Sequence, residues 1–90
     1  MSKLDEVIFI DNLPTLDLHG LDTATARVYI NDFINDNYKM QKDVIVIIHG
    51  ISGGILRKTT IEVLSKHKKV LKYKSYYYNR GCTIVEINLQ

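Results

Sequence analysis

Two short runs of this chain group residue types suited to proton or phosphate chemistry. In the first, Asp17 and His19 stand two apart; in the second, His49 precedes Gly50-Ile51-Ser52-Gly53-Gly54. Imidazoles titrate near neutrality, so His19 and His49 can each give or take a proton. The Asp17 carboxylate can orient an imidazole or hold a divalent ion such as Mg2+ or Mn2+. A glycine-rich turn that opens a helix presents free backbone N–H groups and the positive end of a dipole, which suits a phosphate. Arg57 and Lys58 follow at the start of that helix and can add charge-assisted contacts. With so few carboxylates a two-metal site is disfavoured, and cleavage without a tightly bound metal is the more natural expectation.

Each element alone has an ordinary structural explanation. A histidine at a strand end is commonly structural, and a glycine after a strand is commonly just a turn. Lys58-Thr59 resembles the end of a P-loop, but Arg57 stands where that motif needs glycine. Tyr76-Tyr77-Tyr78 reads as strand packing ahead of a base-stacking platform. Cys82 reads as a small buried residue, and the spacing of one Cys and three His disfavours a structural zinc site.

The elements that must position these residues are legible from periodicity. Leu16 to His19 reads as a short strand entered through Pro14 and closed by Gly20, with Asp17 and His19 on one face and Leu16 and Leu18 on the other. Asp22 is an N-cap for a helix to about Asn37, whose inward stripe is Ala26, Ile30, Phe33 and Ile34. Val44 to Ile48 is all β-branched and apolar, the mark of a central strand parallel to the first. A second helix over about Ile55 to His67 turns Leu56, Thr60, Val63 and Leu64 inward. Two strands, Val70 to Tyr78 and Thr83 to Leu89, follow around a turn at Asn79-Arg80-Gly81. The order β-α-β-α-β-β implies a two-layer α/β sandwich: a mixed four-stranded sheet with both helices on one face. The open face needs cover, for which residues 6–13 are the candidate. Residues 1–12 read as an N-terminal extension and 13–90 as the domain. Parallel neighbouring strands would bring His19 and His49 to one carboxyl edge, where open α/β sheets place ligands.

Ninety residues make one domain. The longest apolar run, Val44 to Ile48, is far short of the roughly 20 residues of a membrane helix, and Met1 to Glu6 does not resemble a signal peptide. With a single cysteine, these features point to the cytoplasm and away from membranes. The net charge of +2 hides an uneven distribution: residues 57–80 carry +7 and the remainder −5. Lys66, Lys68, Lys69, Lys74 and Arg80 join Arg57 and Lys58 in that basic stretch. A solvated helix end accounts for it; so does a surface for a polyanion.

Leu16-Asp17-Leu18-His19-Gly20 and His49-Gly50-Ile51-Ser52-Gly53-Gly54-Ile55-Leu56-Arg57 together resemble the two signatures of the small MutS-related (Smr) domain family. The first motif, L-D-L-H-G, matches without change. The second, roughly H-G-x-G-x-G-x-L-R, matches at His49, Gly50, Gly54, Leu56 and Arg57, with Ser52 in place of the middle glycine. Asn79-Arg80-Gly81-Cys82-Thr83-Ile84-Val85 is similar to the family's G-x-G-A/C-T-x-V ending, with Asn79 for a glycine. The resemblance spans about Leu13 to Leu89. It implies a sheet like that of the C-terminal domain of translation initiation factor three, and nicking or endonucleolytic activity on DNA or RNA in some members. Such domains occur at the C-terminus of a MutS-like ATPase and as stand-alone proteins, and this chain is expected to be of the stand-alone kind.

The resulting expectation is phosphodiester hydrolysis at the carboxyl edge, with Asp17, His19 and His49 as catalytic groups. Gly50, Ser52, Gly53, Gly54, Arg57, Lys58, Lys66, Lys68, Lys69, Lys74 and Arg80 would bind the nucleic acid. No metal ligand set or certain cofactor is assigned. The alternative is a non-catalytic module that binds DNA, RNA or a ribosome-like surface, or joins repair proteins, as a monomer or weak dimer. A mononucleotide site at the glycine turn ranks below both, for want of an acid or aromatic clamp near it in sequence.

Overall fold

The structure, a computed structural model, describes residues 4, 7, 9–51 and 54–90. Strand β1 covers Thr15–Asp17, helix α1 Thr23–Lys39, β2 Val44–Ile48, α2 Ile55–Lys66, β3 Val70–Tyr76 and β4 Asn79–Ile87. This is the expected β-α-β-α-β-β order. Helix α1 starts where a short acidic side chain can take an orphan amide: the Asp22 carboxylate accepts from the Thr25 N–H at 2.7 Å. That hydrogen bond also holds the Asp22 carboxyl below its ordinary value.

The sheet is mixed, in the order β1-β2-β4-β3. β1 pairs parallel with β2, while β4 runs antiparallel to both β2 and β3. The chain therefore sends β3 to the edge and fills the gap with β4, giving β2 and β4 the central places. Central strands must be apolar on both faces, and Val44 to Ile47 and Gly81 to Ile87 are all buried.

Alternation along these strands feeds two cores. Ile45, Ile47, Val85 and Ile87 meet Ala26, Ile30, Ile34 and Leu64 of the helices, with Leu18 among them. Val44, Val46, Cys82 and Ile84 point to the other face, where Leu4, Val7, Ile10 and Leu13 cover them. The expectation that the N-terminal segment covers this face therefore holds for its described residues. Glu6 and Ile8 lie outside the described residues.

Two local expectations change: β1 ends at Asp17, so His19 lies beyond the strand, and the hairpin turn moves. The hairpin reverses at Tyr77-Tyr78, between the paired residues Tyr76 and Asn79, while Asn79-Arg80-Gly81 belongs to β4. Gly81 is the reason. Its carbonyl accepts from the N–H groups of both His49 (2.8 Å) and Gly50 (3.1 Å), and its own N–H donates to the Asn79 side chain at 2.9 Å. These bonds draw 79–81 onto the end of β2 and move the reversal two residues earlier. Neither tyrosine takes a positive φ, so the turn lacks the primed geometry favoured by two-residue hairpins. The strain in register appears as a bulge, with Arg80, Gly81 and Cys82 lying between the pairs Ser75–Thr83 and Tyr76–Asn79.

Candidate functional site

Register places the two signature runs side by side. Asp17 pairs with Ile48 and the Leu18 N–H donates to the Ile48 carbonyl at 2.8 Å, so β1 and β2 end together. His19, two residues past Asp17, and His49, one residue past Ile48, emerge at the same carboxyl edge. Gly20 and Gly50 then turn the chain with φ of 80° and 82°, a conformation that L side chains rarely adopt.

The two histidines differ in kind. His19 is exposed, and its backbone N–H donates to the Asp17 carboxylate at 2.9 Å. Asp17 thus orients His19 through the main chain, as an Asx turn does, and the expected carboxylate–imidazole alignment is not the contact formed. His49 is only 5% exposed. Its Nδ1 lies 3.0 Å from the Gly50 carbonyl, which can only accept, so Nδ1 carries the proton. Its Nε2 then accepts from the Thr83 hydroxyl at 2.8 Å. Burial pushes the His49 imidazole below its ordinary value, with the Gly50 bond opposing and the Arg57 charge reinforcing. Both ring nitrogens are engaged inside the protein, and the ring ties the end of β2 to β4.

Two adjoining clefts open along this edge. One, of about 350 Å3, is lined by Asp17, His19, Gly20, Ile48, His49, Gly50, Ile51 and Leu56. The other, of about 390 Å3, is lined by Gly50, Ile51, Arg57, Ser75 and Arg80. Gly50 and Ile51 form the wall common to both. Arg57 is steadied by Ser75, toward whose hydroxyl its Nη2 donates at 3.3 Å. Gly54 caps α2 in the left-handed conformation with no side-chain hydrogen bond, so the first-turn N–H groups of that helix carry no side-chain cap. Ser52 and Gly53 lie outside the described residues.

The basic stretch is dispersed by the fold. Arg57 and Arg80 share one cleft. Lys58 lines neither, and its charge acts on Glu62 one turn along, a residue already bonded to Arg27 of α1. Lys66, Lys68 and Lys69 gather around His67 at the far end of α2, roughly 18 Å from Gly54 at 1.5 Å per residue. There Lys69 sits 4.4 Å over the Tyr38 ring and donates to Asn35 at 3.3 Å, fastening the loop to α1. Lys74 pairs with Ile84, on the face away from the helices. Of the expected binding residues that are described, then, only Gly50, Gly54, Arg57 and Arg80 share the edge with Asp17, His19 and His49.

Sequence reasoning missed Thr83, Ser75 and Gly81. Gly81-Cys82-Thr83 had been legible as a motif, but nothing local to it marks Thr83 as the partner of a residue 34 positions earlier. Among the described residues no group of three His, Cys, Asp or Glu side chains assembles. A divalent ion at this edge would have Asp17 as its anionic protein ligand.

The family model described as the Smr domain matches residues 16–88. A protein named Endonuclease MutS2 from Clostridium botulinum (strain Eklund 17B / Type B) is 35% identical over 75 residues, covering 80% of this chain and 10% of its own length. One of the same name from Clostridium perfringens (strain SM101 / Type A) is 30% identical over 74 residues, covering 82% and 9%. The chain thus spans about a tenth of these relatives. Among solved structures, the Smr domain of Thermus thermophilus MutS2 superposes with a TM-score of 0.81 at 23% identity, over 83% of this chain and 98% of that one. YdaL, a stand-alone small MutS-related protein from Escherichia coli, gives 0.77 at 20% identity, over 81% and 63%. At these identities the two likenesses speak to fold.

Proposed function

The chain belongs to the Smr domain family, and on that footing we propose that it binds nucleic acid at the carboxyl edge and hydrolyses a phosphodiester there. The observation that carries this reading is the pair of clefts meeting at Gly50 and Ile51, one holding His19 and Asp17, the other Arg57 and Arg80. A phosphodiester laid across that wall meets an imidazole on one side and two guanidinium groups on the other.

The geometry supports a role for each of these groups. Arg57, Arg80 and the first-turn N–H groups of α2 hold the phosphate and stabilise the charge that grows on its oxygens during attack. His19, exposed at the rim, takes a proton from the attacking water as the P–O bond to the leaving oxygen breaks, and solvent or the imidazolium protonates that oxygen. Asp17 fixes the turn from which His19 projects. His49 serves as a positioning residue: its neutral ring locks Gly50 and β4 in place and transfers no proton. This revises the expectation of two acid–base imidazoles.

A second reading has its own support. With His49 engaged on both nitrogens, the edge keeps a single accessible imidazole, which suits a non-catalytic DNA-, RNA- or ribosome-binding module. The deciding experiment incubates wild-type and His19→Ala protein with labelled single-stranded RNA, duplex DNA and branched DNA, with and without Mg2+ or Mn2+. Cleavage by the wild type and its loss in the variant, with binding kept, is the expected result. Intact substrates with a salt-sensitive mobility shift would establish the binding module.

A further inference from the structure

Because β3 runs parallel to β1 and β2, the tip of its hairpin emerges at the same edge as His19 and Gly50. That tip is Tyr77-Tyr78. Turns are ordinarily built from Gly, Asn, Asp, Ser or Pro, for backbone reasons that tyrosine does not share. The fold does not use these rings for its core either: Tyr76 is buried, whereas Tyr77 is 86% and Tyr78 67% exposed.

The exposed rings are nonetheless held. Tyr78 lies edge-to-face with the buried Tyr76, at 5.6 Å and 65°, and with Tyr77, at 5.0 Å and 83°. A ring braced on a buried neighbour loses little further freedom when a ligand lies on it. Nearly perpendicular rings cannot both continue one column of parallel bases. They can receive bases that have left such a column, each on its own plane. In a duplex the base faces are covered by their neighbours, whereas a single strand, loop or bulge leaves them open to aromatic side chains.

Charge fixes the orientation of such a strand. Arg80 follows Tyr78 by two residues and shares its cleft with Arg57, on the approach to the N-terminus of α2. On the opposite side of the hairpin the charge of Asp11 acts on Tyr76, which packs with the N-terminal segment. Phosphates are drawn to the arginine side and kept from the Asp11 side, which leaves the bases to lie over the tip.

We propose that Tyr77 and Tyr78 are a stacking platform for unpaired bases, making a single-stranded or looped region the preferred ligand of this edge. The assignment rests on the nucleic-acid reading above and narrows it to a substrate class. DNA and RNA present the same base faces, so the test includes both.

The test measures binding of the whole chain to four fluorescent oligomers of equal length: single-stranded DNA, single-stranded RNA, a duplex, and a strand whose central nucleotides are abasic. Tyr77→Ala and Tyr78→Ala should each weaken binding of one or both single strands about tenfold, the size usual for one base–aromatic contact. Neither should change affinity for the duplex or the abasic strand. Tyr77→Trp and Tyr78→Phe should restore the loss, and the far-ultraviolet circular dichroism of every variant should match wild type. The chain has no tryptophan, so quenching of tyrosine emission on binding gives a second readout, expected to shrink in the alanine variants. Single-strand affinity unchanged in Y77A/Y78A, with wild-type binding intact, overturns the platform and leaves the nucleic-acid reading standing. Equal losses on all four oligomers overturn it as well, since they would mark general rather than base-specific contact. Failure of the wild type to bind any oligomer overturns both readings.

Discussion

The Nε2 of His49 and the hydroxyl of Thr83 meet at 2.8 Å inside the protein, joining the end of β2 to the middle of β4 directly behind the Gly50 turn. A signature histidine thus acts as a hydrogen-bonded strut for the loop that separates the two clefts. The backbone bonds from His49 and Gly50 to the Gly81 carbonyl complete the same joint.

Breaking that strut should destabilise the fold. Thr83→Val keeps the shape of the side chain but leaves Nε2 without its donor in a buried place, a loss of about 1–3 kcal/mol. The urea midpoint should fall, and any activity should fall more than the midpoint predicts as the Gly50 wall shifts. A midpoint equal to wild type would show that the joint rests on backbone bonds alone.

Stability should also fall on mild acidification. Burial holds both His49 and His67 below the ordinary histidine value of 6.5, Arg57 adding to the first and Lys69 to the second. Below 6.5 the unfolded chain binds protons that the native state resists. The contribution is therefore complete above 6.5 and is lost as pH falls toward the depressed native values. Urea midpoints at pH 7.5 and 5.5 should differ, and by less in His49→Gln. A flat profile over that interval would refute the linkage.

The two groups of basic residues should separate by function. Arg57→Ala and Arg80→Ala should each weaken oligonucleotide binding and reduce the slope of log affinity against log salt by about one. Lys66→Ala and Lys68→Ala, at the far end of α2, should weaken binding less, because neither touches the clefts. Fluorescence anisotropy over a salt series measures both effects; larger losses from the lysines would move the nucleic-acid path to the other end of the molecule.

The N-terminal cover should matter to the core. Leu4 is buried against the sheet face that carries Val44, Val46 and Ile84, so Leu4→Ala should cost about 2–5 kcal/mol. Thermal unfolding reports it. An unchanged midpoint would make residues 1–12 a dispensable extension of a domain at 13–90.

Much of this protein could be read before folding is considered. The Asp22 cap, the Ala26–Ile30–Ile34 stripe and the β-branched run Val44 to Ile48 declare their elements because they depend on near neighbours and on a period of 3.6 or 2. The arrival of His19 and His49 at one edge also followed, since neighbouring parallel strands present their carboxyl ends on the same side. What folding alone decided are contacts between residues far apart in the chain. Periodicity cannot reveal that Thr83 satisfies His49, or that Gly81 reaches Gly50 and so shifts the hairpin to Tyr77-Tyr78. Nor can a local charge count show that Arg57 and Arg80 converge while Lys66, Lys68 and Lys69 collect at the other end. Those outcomes depend on strand order and register, which pair surfaces by their complementarity in space, and neighbouring residues carry no record of that pairing.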